Sequence, residues 1–192
     1  MLSYRHCLPD LLEKARLCRL GQGERNFHIF YQLLAGKAGK LGIADSPLDY
    51  AFLKAGDPTV KGLSDTQWLK EVEDSFKSIG FTAEEQDAIW KVLASILLLG
   101  NVKFTPEGGA GSTATNIDDS ITKFLDCKKA AVVKALTHNT VMVAGSPVSA
   151  DLDPDQASAA RDTLCKKMYV HGLMRFQGNW NPWSFFLFFP CA

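Results

Sequence analysis

The sequence has no surplus of charge of either sign, because its 21 Lys and Arg residues equal its 21 Asp and Glu residues. Nucleic acids and anionic membranes attract proteins through an excess of positive charge. We therefore expect neither a nucleic-acid partner nor a membrane partner. Any contact with an acidic partner has to come from a local patch of the surface.

The sequence also lacks paired cysteines and long apolar runs. Its five cysteines are odd in number, lie far apart and include no CxxC pair. They are Cys7, Cys18, Cys127, Cys165 and Cys191. This pattern argues against a zinc site or a disulfide framework and suits a reducing cytosol. A membrane span needs about 20 apolar residues, whereas the apolar cluster at 185–189 is far shorter and is flanked by prolines.

Apolar residues recur at helical spacing along most of the chain, which predicts a mainly α fold with a few short strands. The predicted helices span residues 24–35, 64–79, 82–99, 118–137 and 153–169. The third of them ends in Leu97, Leu98 and Leu99, so its end is apolar all round and is expected to lie deep in the molecule.

Three of these helices begin with a capping residue that is followed three positions later by Glu or Gln, a spacing typical of helix N-termini. The pairs are Ser64 with Gln67, Thr82 with Glu85, and Asp153 with Gln156. The helix after Ser64 is predicted to bury the stripe Trp68, Val72, Phe76 and Ile79.

Strands are predicted at residues 8–20 and 101–105, with a loop or an irregular hairpin at 141–150. Residues 37–63 are interpreted as a surface connection, and 106–115, rich in Gly, Ser and Thr, as a mobile segment. A lone strand leaves backbone donors and acceptors unpaired. These strands therefore predict partners outside this part of the chain.

One glycine pair has the outline of a nucleotide-binding turn. Gly21 and Gly23 follow the predicted strand and precede the first helix, but Asn26 occupies the position of the third glycine. Glu24 would also place a carboxylate where a pyrophosphate should bind. A tight turn capped by Glu24 is the favoured interpretation, with nucleotide binding as the alternative.

Other candidate motifs are incomplete. Lys37 and Lys40 each follow a glycine, but the chain lacks the spacing and the Ser or Thr of a phosphate loop. Asp151, Asp153 and Asp155 alternate like cation ligands, although helix capping explains them better. The residues themselves therefore assign no catalytic, cofactor-binding or metal-binding side chain.

Several long blocks resemble the myosin motor head. Residues 11–16 (LLEKAR) and 23–36 (GERNFHIFYQLLAG) are similar to the family's LLEKSR and GERNFHIFYQLL. Residues 89–104 are similar to ILAAILHLGNVxF, and Gln156-Ala157 and Ala160-Arg161-Asp162 match a further block in family order. The resemblance covers about residues 8–169. It implies a partial motor domain of a P-loop NTPase head, with a strand of the transducer sheet at 11–20 and the upper lobe beside the actin-binding cleft.

The same resemblance implies an actin-activated, ATP-driven motor in the cytoplasm, at the cytoskeleton in a myosin complex. The intact family motor binds Mg-ATP through a GESGAGKT loop, an NxNSSRFGK switch I and a DIxGFE switch II. None of these motifs occurs among the 192 residues. We therefore expect no cofactor and no ATP hydrolysis in this chain alone, because the charge stabilisation for phosphoryl transfer is missing. The implied partners are filamentous actin and the remainder of the motor head.

In the family, the loop before the last helix touches actin, and here it corresponds to about residues 139–153. The resemblance assigns actin contact to Thr140, Val141, Met142, Val143, Ser146, Pro147 and Val148. The loop has no Lys or Arg, so electrostatic steering toward acidic actin is expected to be weak, leaving a small apolar contact. A simple connecting loop is the alternative.

After Tyr169 the sequence departs from the family pattern and becomes rich in aromatics. Our hypothesis divides the chain into a partial motor domain at 1–169 and a non-homologous tail at 170–192, produced by a gene-model or reading-frame artefact. A free-standing helical module that contacts actin or another protein is the alternative to a motor lobe.

Overall fold

The computed structural model describes residues 14–21, 23–60, 62, 64–109, 111–143 and 146–174. Seven helices lie in this part of the chain: α1 His28–Gly36, α2 Ala38–Leu41, α3 Asp65–Ser78, α4 Ala83–Gly100, α5 Asp119–Leu125, α6 Lys129–Thr137 and α7 Pro154–Met174. Its four strands are β1 Lys103–Glu107, β2 Gly111–Thr115, β3 His138–Val143 and β4 Ser146–Asp151. The predicted mainly α fold with a few short strands is confirmed. None of the helices in the described ranges has both the length and the apolar character needed to cross a bilayer.

The strands form two antiparallel hairpins. Strand β1 pairs with β2, and strand β3 pairs with β4. The predictions of an unpaired strand near residue 103 and of a mobile segment at 106–115 are therefore wrong. Residues 111–115 supply the backbone donors and acceptors that β1 needs, so these two strands satisfy each other.

The predicted strand at residues 8–20 is wrong for its described part. Residues Ala15–Leu17 form a 3₁₀ turn, and the amides of Cys18 and Arg19 both donate to the carbonyl of Ala15. These local hydrogen bonds replace the strand neighbour that a sheet would have supplied. Residues 8–13 lie outside the described part of the chain.

Helix α1 begins at His28, four residues later than predicted, because Asn26 holds the preceding backbone elsewhere. The Asn26 side chain is buried and donates to the carbonyls of Leu17 and Phe52, at 3.1 and 2.8 Å. Its Oδ1 accepts from the amide of Phe27 at 2.8 Å. One amide side chain thus ties the 3₁₀ turn, the start of α1 and the Phe52 segment together.

Helix α3 begins at the predicted cap Ser64 and buries only part of the predicted stripe, because Phe76 is buried and Val72 packs against the core. Its buried side chains are Leu69 and Phe76, whereas Trp68 and Ile79 are exposed. A Cβ on Gly36 would lie 2.2 Å from Leu69 Cδ2. The missing side chain of Gly36 therefore leaves the space that Leu69 fills, and this contact sets the rotation of α3 against α1.

Helix α4 is the centre of the core. Its predicted capping box between Thr82 and Glu85 is present, and Leu97, Leu98 and Leu99 are all buried, as predicted. The segment 37–63 is not merely a surface connection, because it contributes buried side chains to the same core. These are Ala38, Tyr50, Phe52 and Leu53.

Helix α7 packs against α4 and continues to Met174, beyond Tyr169, where the sequence predicts the end of the helix. Tyr169 is buried, and its ring stacks on Phe27 with the centroids 4.6 Å apart. Aromatic packing against α1 therefore holds a part of the helix that propensity alone does not favour. The structure does not describe residues 175–192, so the hypothesis about the tail stays a prediction.

Candidate functional site

The segment that was predicted to contact actin is a regular hairpin of strands β3 and β4. Its register pairs Thr140 with Ser149 and Val141 with Val148. Met142 pairs with Pro147 and Val143 with Ser146. The predicted contact residues therefore all lie on two adjacent strands, although they come from both sides of residues 144–145.

Beyond the pair of His138 and Asp151 at its base, the exposed side chains that the structure describes on the hairpin are uncharged. Thr140, Ser146 and Val148 are exposed, and 46% of Val148 is accessible. The structure describes only the backbone of Val141, Met142, Val143 and Pro147. The only ionisable side chains among residues 138–151 are those of His138 and Asp151, and these face each other across the strands with Nε2 and Oδ1 3.2 Å apart. The hairpin can offer a partner hydroxyl groups, backbone groups and apolar surface.

The base of the hairpin is attached to the rest of the fold by three hydrogen bonds. The Leu152 amide donates to the Thr137 carbonyl at 2.8 Å, and Ser112 Oγ on β2 donates to the Leu152 carbonyl at 2.7 Å. A third bond of 2.8 Å joins Thr137 Oγ1 to His138 Nδ1. These bonds fix the hairpin to the end of α6 and to the neighbouring strand β2.

The hairpin leads directly into the cap of α7. The Gln156 amide donates to Asp153 Oδ1 at 2.8 Å, and the Asp153 amide donates to Gln156 Oε1 at 3.2 Å. This reciprocal pair is a capping box and confirms the predicted helix start. It also gives Asp153 a structural role, in agreement with the capping interpretation of the alternating aspartates.

Arg161 connects α7 to the end of α4, a role that sequence reasoning did not assign. Its Nη1 donates to the carbonyls of Val102 at 2.9 Å and Gly100 at 3.4 Å. Its Nε and Nη2 donate to Asp162 Oδ1 at 2.9 and 2.7 Å. Helix C-termini leave carbonyls without intrahelical partners, and Arg161 satisfies two carbonyls at such an end. The only sequence signal was an arginine between apolar positions of a predicted helix.

The Gly21–Gly23 turn has the structure of a turn capped by Glu24. The Glu24 amide donates to the Gly21 carbonyl, and Glu24 Oε2 accepts from the Gly21 amide, each at 3.1 Å. Arg16 contributes a further contact to the same carboxylate oxygen at 3.4 Å. The turn does not open a helix, because α1 begins at His28. The arrangement therefore lacks the helix N-terminus that a pyrophosphate would need.

The two lysines that resembled parts of a phosphate loop are both paired with carboxylates. Lys37 binds Glu73 of α3, and Lys40 Nζ lies 3.0 Å from Asp87 Oδ1 of α4. Hydrogen bonds from Lys91 and from Lys40 lower the pKa of Asp87. Both lysines therefore join α1 and α2 to neighbouring helices. In the part of the chain that the structure describes, no group of three or more His, Cys, Asp or Glu residues could hold a metal ion.

A cleft of about 500 Å³ lies beside the end of α4. Its polar lining mixes both signs of charge, with Lys54 and Lys103 opposed by Asp49 and Asp118. The Arg161 guanidinium, which also lines the cleft, is already engaged with backbone carbonyls and Asp162. This balance does not provide the concentrated positive field that phosphate groups require.

Residues 7–176 match the family model described as myosin head (motor domain). The Acanthamoeba castellanii protein "Myosin IC heavy chain" is 39% identical over 170 residues, covering 83% of this chain and 14% of the relative. "Unconventional myosin-Ic" of Bos taurus is 36% identical over 171 residues, covering 85% and 16%. "Unconventional myosin IC" of Drosophila melanogaster is 39% identical over 169 residues, covering 84% and 16%. The chain thus spans less than a fifth of the length of these curated relatives.

Proposed function

The chain belongs to the myosin head (motor domain) family, and on that premise we propose that it is one lobe of an actin-based, ATP-driven cytoskeletal motor. In this proposal the β3–β4 hairpin faces filamentous actin, and the lobe is part of a head with a P-loop NTPase fold. ATP binding and hydrolysis belong to the remainder of that head, and the motor works on the actin cytoskeleton.

The observation that carries the proposal is the attachment of the hairpin. A surface that transmits force to a partner has to be fixed to the rest of the fold. This hairpin is fixed at its base by hydrogen bonds of Leu152 and Ser112, and the cap at Asp153 follows directly. Arg161 then ties the same helix to the end of α4. The predicted actin contact therefore has a continuous connection to the core of the lobe.

The chemistry of the hairpin makes its contact with actin apolar and small. With no Lys or Arg on the hairpin, long-range attraction to an acidic filament is absent, and salt has few charge pairs to screen. Among the hairpin side chains that the structure describes, Val148 is both apolar and exposed. The interaction of the hairpin should therefore depend on shape and apolar contact and change little with ionic strength.

The described residues do not form a binding site for the phosphates of ATP. The Gly21 amide is occupied by Glu24, and the side chains of Lys37 and Lys40 are paired with Glu73 and Asp87. A phosphate cradle requires free backbone donors, a free cation and a magnesium ligand in one place. We therefore assign no step of ATP hydrolysis to the residues that the structure describes.

Cosedimentation of the full 192-residue chain with filamentous actin tests the hairpin contact. We expect weak binding whose bound fraction, at a fixed actin concentration, changes little between about 50 and 200 mM salt. Val148→Asp should lower the bound fraction, because it places a carboxylate against an acidic partner. Val60→Asp is the matched control, since Val60 is an exposed valine outside the hairpin. Equal binding of both variants and the parent would refute the hairpin contact.

A second candidate is a free-standing helical module that binds actin or another protein without the rest of a head. One observation favours it: each described strand pairs with a neighbour within this chain, so neither hairpin depends on a strand from elsewhere to form. Saturable, tight binding of the isolated chain to actin at physiological salt would favour the module. Binding that stays weak and does not saturate favours the lobe of a motor head.

A further inference from the structure

Two cysteines that are far apart in the sequence lie against the same turn of α7. Cys18 follows the 3₁₀ turn, and its Sγ donates a weak hydrogen bond to the carbonyl of Asp162 at 3.7 Å. Cys165 is three residues further along α7, and side chains of a helix lean back over the preceding turn. The Cys165 side chain therefore lies over the turn that Cys18 already touches.

A second observation supports their proximity. The 3₁₀ turn at Ala15–Leu17 packs against α7, and Leu17 is fully buried there beside the start of α1. Burial raises the pKa of the Cys165 thiol well above its usual value, and the next largest cause is the charge of Cys18. This electrostatic effect agrees with the packing of the 3₁₀ turn against α7.

We propose that Cys18 and Cys165 form a reversible disulfide that joins the turn before α1 to α7. No backbone rearrangement on the scale of an element is needed, because the two segments are already packed together. Closing the bond breaks the weak hydrogen bonds from Cys18 to Asp162 and from Cys165 to the Ile96 carbonyl. In a reducing cytosol the pair stays in the dithiol form, and an oxidising shift closes it.

The reaction with glutathione disulfide as the oxidant balances in two exchange steps. The Cys18 thiolate attacks one sulfur of glutathione disulfide and releases a glutathione thiolate, which takes up the proton that Cys18 lost. The Cys165 thiolate then attacks the Cys18 sulfur of the mixed disulfide and releases the second glutathione in the same way. The two protein thiols lose two electrons and two protons in total, and glutathione disulfide gains them.

The burial of the pair sets the order and the speed of these steps. Cys18 is half-buried while Cys165 has no accessible surface, so Cys18 reacts first with an external disulfide. Burial, with a smaller contribution from Asp162, raises the pKa of Cys18 to about 11. Because the thiolate is the nucleophile, the rate should rise about tenfold for each pH unit between neutrality and that value.

The test is oxidation of the full chain by glutathione disulfide, followed by alkylation of the remaining thiols and mass spectrometry of a non-reduced digest. We expect one dominant linked peptide pair, containing Cys18 and Cys165, that forms about tenfold faster at pH 8 than at pH 7. In the Cys165→Ala variant the reaction should stop at the mixed disulfide of Cys18 with glutathione. Cys18→Ala should abolish both products.

Cys127 provides the control, because it is also a half-buried cysteine but lies just after the end of α5. Cys127→Ala should leave the yield and rate of the linked pair unchanged. A mixture of pairings in which Cys127 joins Cys18 or Cys165 as often as they join each other would overturn the proposal. So would complete glutathionylation of Cys18 with no linked pair.

Discussion

Arg161 shows how one side chain of α7 can hold three segments of the lobe. Its guanidinium is largely buried, satisfies carbonyls at Gly100 and Val102, pairs with Asp162, and lies 5.7 Å from the ring centre of Phe52. Hydrogen bonds of a charged donor contribute more than neutral ones, and carbonyls left buried without a partner are costly. The end of α4 therefore depends on this residue.

Replacing Arg161 tests that dependence. Arg161→Ala should lower the free energy of unfolding by about 2–3 kcal/mol, because the charged hydrogen bonds are lost and the carbonyls stay buried. Arg161→Lys should recover only part of the loss, since an ammonium group cannot reproduce the fork of the guanidinium. Urea unfolding followed by circular dichroism measures both. The exposed Arg19→Ala is the control and should stay within about 0.5 kcal/mol.

Gly100 is required by the ring that packs against it. A Cβ at this position would lie 2.7 Å from Cδ2 of Phe52, so Gly100→Ala should destabilise the fold by about 1–3 kcal/mol through overpacking. Gly39→Ala, within α2, meets no atom within 4 Å and should instead stabilise by up to about 1 kcal/mol. Thermal unfolding of the two variants compares them directly. A stable Gly100→Ala variant would show that the Phe52 ring moves easily.

Buried phenols predict a loss of stability at alkaline pH. Burial raises the pKa of Tyr169 to about 12, and burial with nearby carboxylates raises that of Tyr50 to about 12. An unfolded phenol loses its proton near pH 10, so the unfolded chain binds fewer protons than the folded one between about pH 10 and 12. The free energy of unfolding must therefore fall as pH rises through that window.

Tyrosine variants separate the two contributions to this loss. Tyr169→Phe should reduce the alkaline slope by up to about 1.4 kcal/mol per pH unit while keeping the ring stack on Phe27. Tyr50→Phe should reduce the slope similarly but also lose the hydrogen bond to the Ala44 carbonyl. Urea midpoints at pH 8 to 12 measure both effects. An unchanged slope in both variants would contradict the burial of these phenols.

At the scale of elements, the hairpin and α7 are joined through two adjacent residues, Leu152 at the hairpin base and Asp153 at the helix cap. The Asp153 side chain accepts from the Gln156 amide, and the Asp153 carbonyl accepts from the Ala157 amide. The adjacent Leu152 closes the hairpin base. Loosening the first turn of α7 should therefore loosen the hairpin as well.

Asp153→Ala tests this coupling. The loss of an N-cap should reduce stability by about 1 kcal/mol and accelerate amide hydrogen exchange in both β4 and the first turn of α7. Asp155→Ala is the matched control, since Asp155 is an exposed aspartate in the same first turn of α7. Its interaction with the helix dipole contributes only about a few tenths of a kcal/mol. Exchange that accelerates in α7 alone would show that the hairpin is held independently.

The sequence predicted those elements whose signals are local. The caps Ser64, Thr82 and Asp153 hydrogen-bond within three residues, so their spacing alone located the starts of α3, α4 and α7. For residues 141–150 the sequence left a loop and an irregular hairpin as alternatives, whereas the structure has the regular hairpin of β3 and β4. Its proposed contact with actin came from family resemblance and stays a prediction.

Elements that depend on distant partners could not be predicted in this way. The start of α1 is set by Asn26, whose partners Leu17 and Phe52 are distant in sequence. The buried face of α3 is set by the contact of Leu69 with Gly36. Helical periodicity identifies an apolar stripe but not the rotation that a neighbouring glycine permits. The missed pairing of β1 with β2 has a different cause, because the two strands are adjacent in the chain but the sequence GSTAT of β2 has no alternation of large apolar and polar residues.

At the scale of the whole molecule, the described core is one continuous cluster that runs from Leu17 through α1, α3, α4 and α7 to Tyr169. The hairpin projects from this core. The candidate phosphate-binding groups already form a hydrogen bond within a turn or ion pairs between helices. The described residues thus combine a hairpin anchored to the core with the absence of a nucleotide cradle. We therefore propose a lobe of a motor whose chemistry lies in other parts of the head.

The most direct test is phosphate release by the purified chain with Mg-ATP, with and without filamentous actin, on material that first shows cooperative unfolding in urea. We predict no release above the background of actin alone, because the residues that the structure describes form no phosphate cradle with a magnesium ligand. Saturable ATP hydrolysis that follows the concentration of this chain would contradict the account.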